Sequence, residues 1–88
     1  MTPTLEEPQT RLFCLRILAD LDPSALPRIL GYFQNLNVVP RRVTAERGSS
    51  PILHIRIDIA GLPEERISLI AAKIGQLPGI GNAIWHAL

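Results

Sequence analysis

Hydrophobic and polar residues alternate in Ile52–Ala60, which is the pattern of a β-strand with two different faces. Every second residue of this segment is aliphatic, whereas His54, Arg56 and Asp58 occupy the positions between them. The segment therefore predicts a strand with one core face and one face turned to solvent or to a partner.

Thr10–Ala19 alternates less strictly and predicts another strand. One of its faces is entirely apolar and carries Phe13, Leu15, Ile17 and Ala19. The other face carries Leu12, Cys14, Arg16 and Leu18. Because this second face is also mostly apolar, we expect a central strand whose back is partly covered.

Two segments have apolar residues three and four positions apart, which predicts amphipathic helices. The apolar stripe of the first consists of Leu26, Ile29, Leu30, Phe33 and Leu36. That of the second consists of Ile67, Ile70, Ala71, Ile74 and Leu77. The second helix is expected to start with Pro63 at its first position, followed by Glu64 and Glu65 where the helix dipole favours acids.

The first helix has two candidate N-caps, Asp22 and Ser24. With Ser24 as the cap, Pro27 falls in the first turn, where its missing N–H costs little. With Asp22 as the cap, Pro27 would remove a helix hydrogen bond. Ser24 is therefore favoured.

The remaining segments complete a regular order of elements. Asn37–Arg47 is expected to be a strand at a sheet edge, because Pro40 cannot donate to a central ladder. Gly48–Pro51 is expected to form a hairpin loop, and Ile80–Leu88 a last strand. The order strand–helix–strand–strand–helix–strand predicts an α+β, ferredoxin-like βαββαβ fold.

In this fold a four-stranded antiparallel sheet carries both helices on one face, with the first and third strands in the middle. The other face then has no internal cover. An uncovered, half-apolar sheet in a small chain is typical of a surface for association.

Composition narrows the classes of function. The chain has 88 residues, which fits a single domain over residues 10–88 behind a flexible tail over residues 1–9. A net charge of +1 provides no positive electrostatic field that would attract nucleic acid. No segment suggests a membrane span or a secretory signal. The lone Cys14 fits a reducing cytoplasm. Hydrophobic residues make up 47% of the chain and charged residues only 19%. This composition indicates that part of the apolar surface remains exposed after folding and is available to a partner.

The row His54, Arg56 and Asp58 has two interpretations. It is either a catalytic or metal-binding row, as in a small dimeric ferredoxin-like enzyme that uses its open sheet face, or a solvated face with ion pairs such as Arg16 with Asp58. The second is favoured, because a metal site needs at least three converging ligands. Cys14 is expected to be a small buried hydrophobe, and Trp85 to cover the core or an interface.

The turn "DLDPSALPRIL" (Asp20–Leu30) also has two interpretations. It is a rigid chain reversal in which Asp and Ser side chains satisfy free amides. Alternatively, the amides of Ser24, Ala25 and Leu26 bind the carboxylate of an amino acid while Asp20 or Asp22 meets its ammonium group.

The chain resembles an ACT domain, the small regulatory module of amino-acid metabolism, over about residues 11–87. The resemblance rests on "LADLDPSALPRIL" (Leu18–Leu30), "LNVVPRRV" (Leu36–Val43) and "LPGIGNAIW" (Leu77–Trp85). In its short length, the chain is most similar to the small regulatory subunits of acetolactate synthase.

The resemblance implies a non-catalytic module without a cofactor, which forms a homodimer, modulates a larger biosynthetic enzyme and takes an amino-acid effector. The family's Asp corresponds to Asp20, its Pro-Gly corner to Pro23 and Ser24, and its Asn to Asn37. A serine in place of the glycine narrows the approach of a ligand to the backbone. The expected ligand site comprises Asp20, Asp22, Pro23, Ser24, Ala25, Leu26 and Asn37. The expected interface comprises Leu12, Cys14, Arg16, Leu18, His54, Arg56 and Trp85.

Overall fold

The computed structural model describes residues 11–48 and 51–88, so the predicted tail and residues 49 and 50 of the predicted hairpin loop lie outside the described residues. Six elements follow one another in the predicted order. They are β1 (Leu12–Asp20), α1 (Ala25–Asn35), β2 (Arg42–Arg47), β3 (Ile52–Ala60), α2 (Glu64–Ile74) and β4 (Ile80–Ala87). The predicted βαββαβ fold is confirmed.

The four strands form one sheet in the order β2-β3-β1-β4, and every neighbouring pair is antiparallel. The prediction that the first and third strands lie in the middle is confirmed, as is the edge position of β2. The start of β2 differs from the expected Asn37, because the chain leaves α1 through a left-handed residue and then passes Pro40. Pairing with β3 begins only where the Arg41 amide donates to the Asp58 carbonyl, 2.7 Å away.

The hydrophobic core lies between the sheet and the two helices, which pack on the same face. Its strand residues are Phe13, Leu15, Ile17, Ala19, Ile55, Ile57 and Ile59. Its helix residues are Ala25, Ile29, Phe33, Ile67, Ile70, Ala71 and Ile74. Each large aliphatic or aromatic side chain buried here contributes about 1.5–3 kcal/mol relative to an exposed one. The alternation seen in the sequence thus accounts for the core.

The helix starts follow the sequence closely. Glu64 and Glu65 lie in the first turn of α2, as predicted. Pro63 is the cap residue and not the first helical residue, because its ψ of 159° keeps it extended. Pro27 lies in the first turn of α1 behind Ser24, as the favoured cap requires.

In the described ranges, neither helix has the length and hydrophobicity needed to span a bilayer.

Candidate functional site

The sheet surface opposite the helices, which we call the bare face, is built from three rows of directly paired residues that cross the strands in sheet order. The rows are Arg42, Asp58, Cys14 and His86; Thr44, Arg56, Arg16 and Ile84; and Glu46, His54, Leu18 and Asn82. Successive rows lie about 7 Å apart, since same-face positions are two residues apart along a strand. Core positions alternate with these residues, which places them away from the helices.

An ion pair lies within β3 on the bare face. The Arg56 Nε donates to the Asp58 Oδ1 at 3.1 Å. The hydrogen bond from Arg56 stabilises the charged form of the guanidinium and raises the pKa of Arg56. The predicted partner of Asp58 was Arg16, and this was wrong. The register sets Arg16 opposite Arg56, and leaves Asp58 opposite Cys14.

The middle row therefore brings two arginines of adjacent strands face to face. Like charges at directly opposite positions destabilise a sheet unless another charge compensates them. Asp58 compensates Arg56, whereas Arg16 has no carboxylate within 4 Å among the described residues. The centre of the bare face consequently carries excess positive charge.

A depression of about 540 Å³ lies over this centre. Its cationic lining is Arg16, Arg42 and Arg56, and Glu46 is the acidic residue beside them. Leu18 and Ile84 provide apolar walls on the β1 and β4 side, with 38% and 53% of their surface exposed. The site thus combines a cationic floor with an apolar side.

His54 and Asp58 do not converge on one point. They lie at the two sides of Arg56 on one strand, four residues apart, which corresponds to about 13 Å. His54 is exposed, and Asp58 is buried and already bonded to Arg56. No group of three potential metal-binding side chains occurs within residues 11–48 and 51–88. The geometry gives a catalytic or metal-binding row no support.

Three of the residues expected at the interface differ from one another in burial and in the face of the sheet that they occupy. Cys14 is fully buried, so it does not belong to the exposed part of the bare face. Trp85 lies on the helix side of the sheet, opposite Leu15, and its ring meets that of Phe13 edge-on at 5.8 Å. Leu12, at the start of β1, is half-buried.

The corner between β1 and α1 is held by its own side chains. The Asp22 Oδ1 accepts hydrogen bonds from the Ser24 amide at 2.9 Å and from the Ser24 hydroxyl at 3.0 Å. Three causes lower the pKa of Asp22: the hydrogen bond from the Ser24 amide, which is the largest, the hydrogen bond from the Ser24 hydroxyl, and the charge of Arg28. Ser24 occupies the N-cap position of α1, but its hydroxyl makes no hydrogen bond to a backbone amide of the helix. The Asp22 side chain instead accepts from the Ser24 amide, as expected for a chain-reversal turn.

Arg28 joins this corner to the turn between α2 and β4. One terminal nitrogen of Arg28 donates to the Pro78 carbonyl at 2.6 Å, and the other to the Ser24 hydroxyl at 2.7 Å. The Asp20 amide donates to the Gly79 carbonyl at 2.8 Å in the same place. Gly79 has a φ of +82°, which suits this close turn. The Ser24 amide that a ligand would contact is thus already bonded to Asp22, and the Ser24 hydroxyl is bonded to Asp22 and Arg28.

Asn37 lies at the opposite end of α1 from this corner. The eleven residues of α1 separate the two by about 16 Å, so one copy of the chain does not bring Asn37 to the corner. Asn37 has a φ of +60°, its amide donates to the Gln34 carbonyl, and the Val38 amide donates to the Phe33 carbonyl. This pair of bonds is a Schellman motif, which ends the helix.

Comparison with known proteins gives the family. A family model described as "ACT-like domain" matches residues 7–85. The chain belongs to the ACT-like domain family. A search of curated proteins found no match.

Solved structures with this fold come from proteins of several kinds. The ACT domain of a GTP pyrophosphokinase from Chlorobium tepidum is 13% identical, with a TM-score of 0.71 over 85% of this chain and 96% of that one. The C-terminal domain of MgtC from Mycobacterium tuberculosis is 12% identical, with a TM-score of 0.71 over 91% of this chain and 89% of that one. A homoserine dehydrogenase from Thiobacillus denitrificans is 18% identical, with a TM-score of 0.71 over 92% of this chain but only 18% of that one. At these identities the likeness concerns the ACT-like fold alone.

Several residues of this ACT-like domain were not singled out from the sequence. Arg28 lies four residues after Ser24, a spacing that favours contact on a helix, and this signal was available. Its bond to Pro78 spans fifty residues and has no local signal. Arg42, Thr44 and Glu46 alternate with Val43 and Ala45, which predicts a shared face but not the neighbours across the strands.

Proposed function

We propose that this ACT-like domain is a non-catalytic regulatory module that forms a homodimer in the cytoplasm and modulates a larger enzyme of amino-acid biosynthesis, as the small subunits of acetolactate synthase do. Membership of the ACT-like family supports a regulatory role, since its domains are typically regulatory amino-acid-binding modules. No arrangement in the described residues favours the alternative, a small enzyme acting through His54, Arg56 and Asp58.

The observation that carries the proposal is the bare face. Ile84 and Leu18 are diagonal neighbours on this face and form a small apolar patch beside the arginines. About half of Ile84 is exposed. Covering it would remove apolar surface from water, which stabilises the contact by about 25 cal/mol for each Å² buried. The same face is therefore the proposed contact for a second copy or for the larger enzyme.

An amino-acid effector would bind at the predicted corner, made of Asp20, Asp22, Pro23, Ser24, Ala25 and Leu26. Such a ligand has to displace the Asp22 carboxylate from the Ser24 amide, because both would accept the same hydrogen bond. This competition weakens effector binding in a single copy. Regulation through contact between subunits is correspondingly favoured.

The test compares two substitutions of equally exposed apolar residues. Ile84 on the bare face and Leu69 on α2 have 53% and 54% of their surface exposed. By light scattering after gel filtration at tens of micromolar, we expect a dimer for wild type and for Leu69→Asp, and a monomer for Ile84→Asp. A monomeric wild type, or a dimer that Ile84→Asp leaves intact, would contradict association through this face.

The regulatory role needs a separate measurement. The purified catalytic subunit of acetolactate synthase from the same organism is assayed with and without the chain, each with and without valine, leucine or isoleucine. A changed rate or a changed response to an amino acid supports the role. An unchanged rate, with no complex detected on gel filtration, removes this enzyme as the partner.

A further inference from the structure

The distribution of charge on the bare face has a consequence of its own. The whole chain carries a net charge of only +1, yet three arginines and one glutamate line the depression. Because Asp58 is paired with Arg56, the excess positive charge of this part of the sheet lies at Arg16 and Arg42. Such a concentration attracts anions and raises their local concentration.

The two central arginines have donors suited to one oxyanion. Residues directly opposite in an antiparallel pair have Cβ atoms about 4.5–5.5 Å apart. Asp58 engages the Nε of Arg56, which leaves the terminal nitrogens outside that bond. The Arg16 side chain is exposed and makes none of the side-chain hydrogen bonds found in the described residues. Planar guanidinium groups bind carboxylate and phosphate through paired hydrogen bonds.

The surroundings of the arginines define the size and character of the ligand. A volume of about 540 Å³ falls within the range of small-molecule sites, which is about 300–1,000 Å³. Leu18 and Ile84 border the arginines on one side, so an apolar group attached to the oxyanion would lie against them. Asn82 and His54 supply further polar groups next to Leu18.

We propose that the depression on the bare face binds a small molecule that carries a carboxylate or phosphate group, held between Arg16 and Arg56, and an apolar part that packs on Leu18 and Ile84. The site is distinct from the corner between β1 and α1, where Asp22 and Arg28 already engage Ser24. The inference goes beyond the proposed function, because it concerns binding by the chain itself and needs no partner enzyme. Both proposals use Leu18 and Ile84, so in a dimer formed through the bare face the ligand would lie at the contact between the two copies, where its charge lowers the repulsion between the arginines.

The test titrates the full chain with inorganic phosphate and, separately, with hexanoate, followed by backbone amide shifts in NMR. We expect saturable shifts in β1, β3 and β4 around the depression. Saturation by phosphate alone assigns a phosphate group, saturation by hexanoate alone assigns a carboxylate joined to an apolar group, and saturation by both shows that the arginines accept either oxyanion. Shifts confined to residues 22–26, or no saturation by either probe at tens of millimolar, would overturn the proposal.

Variants identify the groups that bind. Arg16→Met removes an exposed guanidinium that has no partner among the described residues, so the fold is expected to persist, and affinity should fall at least about tenfold. Arg66→Met, an exposed arginine on α2, serves as the matched control and should leave affinity unchanged. Ile84→Ser should weaken hexanoate but not phosphate. Equal losses in the Arg16 and Arg66 variants would show nonspecific attraction by net charge and overturn the site.

Discussion

The role of Asn37 can be tested by replacing it with glycine and with alanine. Asn37 is the left-handed residue that ends α1, with a φ of +60°. Its side chain makes none of the side-chain hydrogen bonds found in the described residues, so its contribution is expected to be conformational. Family resemblance instead gives this position a role beside a ligand. The two roles predict different effects of glycine.

A β-carbon in the left-handed region costs about 1–2 kcal/mol, and asparagine tolerates this region better than other non-glycine residues. Asn37→Ala should therefore lower the free energy of unfolding by about 1 kcal/mol. Asn37→Gly removes the steric cost but adds freedom to the unfolded chain, so the net change should stay within about 0.5 kcal/mol. In a domain of this size, 1 kcal/mol corresponds to a shift in Tm of about 4–8 °C.

Urea and thermal unfolding followed by circular dichroism measure these differences. Asn35→Ala is the control, because Asn35 is the last residue of the same helix and is also exposed. Alanine there should not destabilise, since it is the better helix former. If Asn37→Gly destabilised the fold as much as Asn37→Ala, or if Asn37→Ala had no effect, the assignment of Asn37 to helix termination would be refuted.

Two further predictions follow from the burial of Cys14 and from the hydrogen bonds of Asp22. The Cys14 thiol is fully buried, so the native chain should react with a thiol reagent at least about 100-fold more slowly than the urea-unfolded chain, and rapid stoichiometric labelling of the native chain would contradict this burial. The folded pKa of Asp22 lies below its ordinary value of 3.8, so its stabilising effect is present above pH 3.8 and is lost as the pH falls through the folded pKa. The stability difference between wild type and Asp22→Asn should accordingly narrow below pH 3.8, and a difference that stays constant from pH 5 to pH 2 would rule out the Ser24 bonds as its source.

The fold could be predicted because the spacing of apolar residues within each segment indicates its secondary structure. The strict alternation of Ile52–Ala60 gave the bounds of β3 as they are found, and the spacing of Ile67, Ile70 and Ile74 gave the buried side of α2. The start of β2 was missed because it depends on the single left-handed residue Asn37. A backbone angle of this kind leaves only a weak signal in one sequence.

The bare face was predicted from topology, but its chemistry was not. Alternation tells which residues share a face, whereas the register between strands decides which of them are neighbours. The register places Arg16 against Arg56 and leaves Cys14 beside a buried Asp58. No spacing within β1 or β3 contains that information, and the expected pair of Arg16 with Asp58 failed for this reason.

The bridge made by Arg28 directly links two loops that come from opposite halves of the chain. Its guanidinium connects the Pro78 carbonyl to the Ser24 hydroxyl, beside the backbone hydrogen bond from Asp20 to Gly79. A substitution that disturbs the turn at Pro78 is therefore expected to disturb the corner at Ser24 as well, although fifty residues separate Arg28 from Pro78 in the sequence.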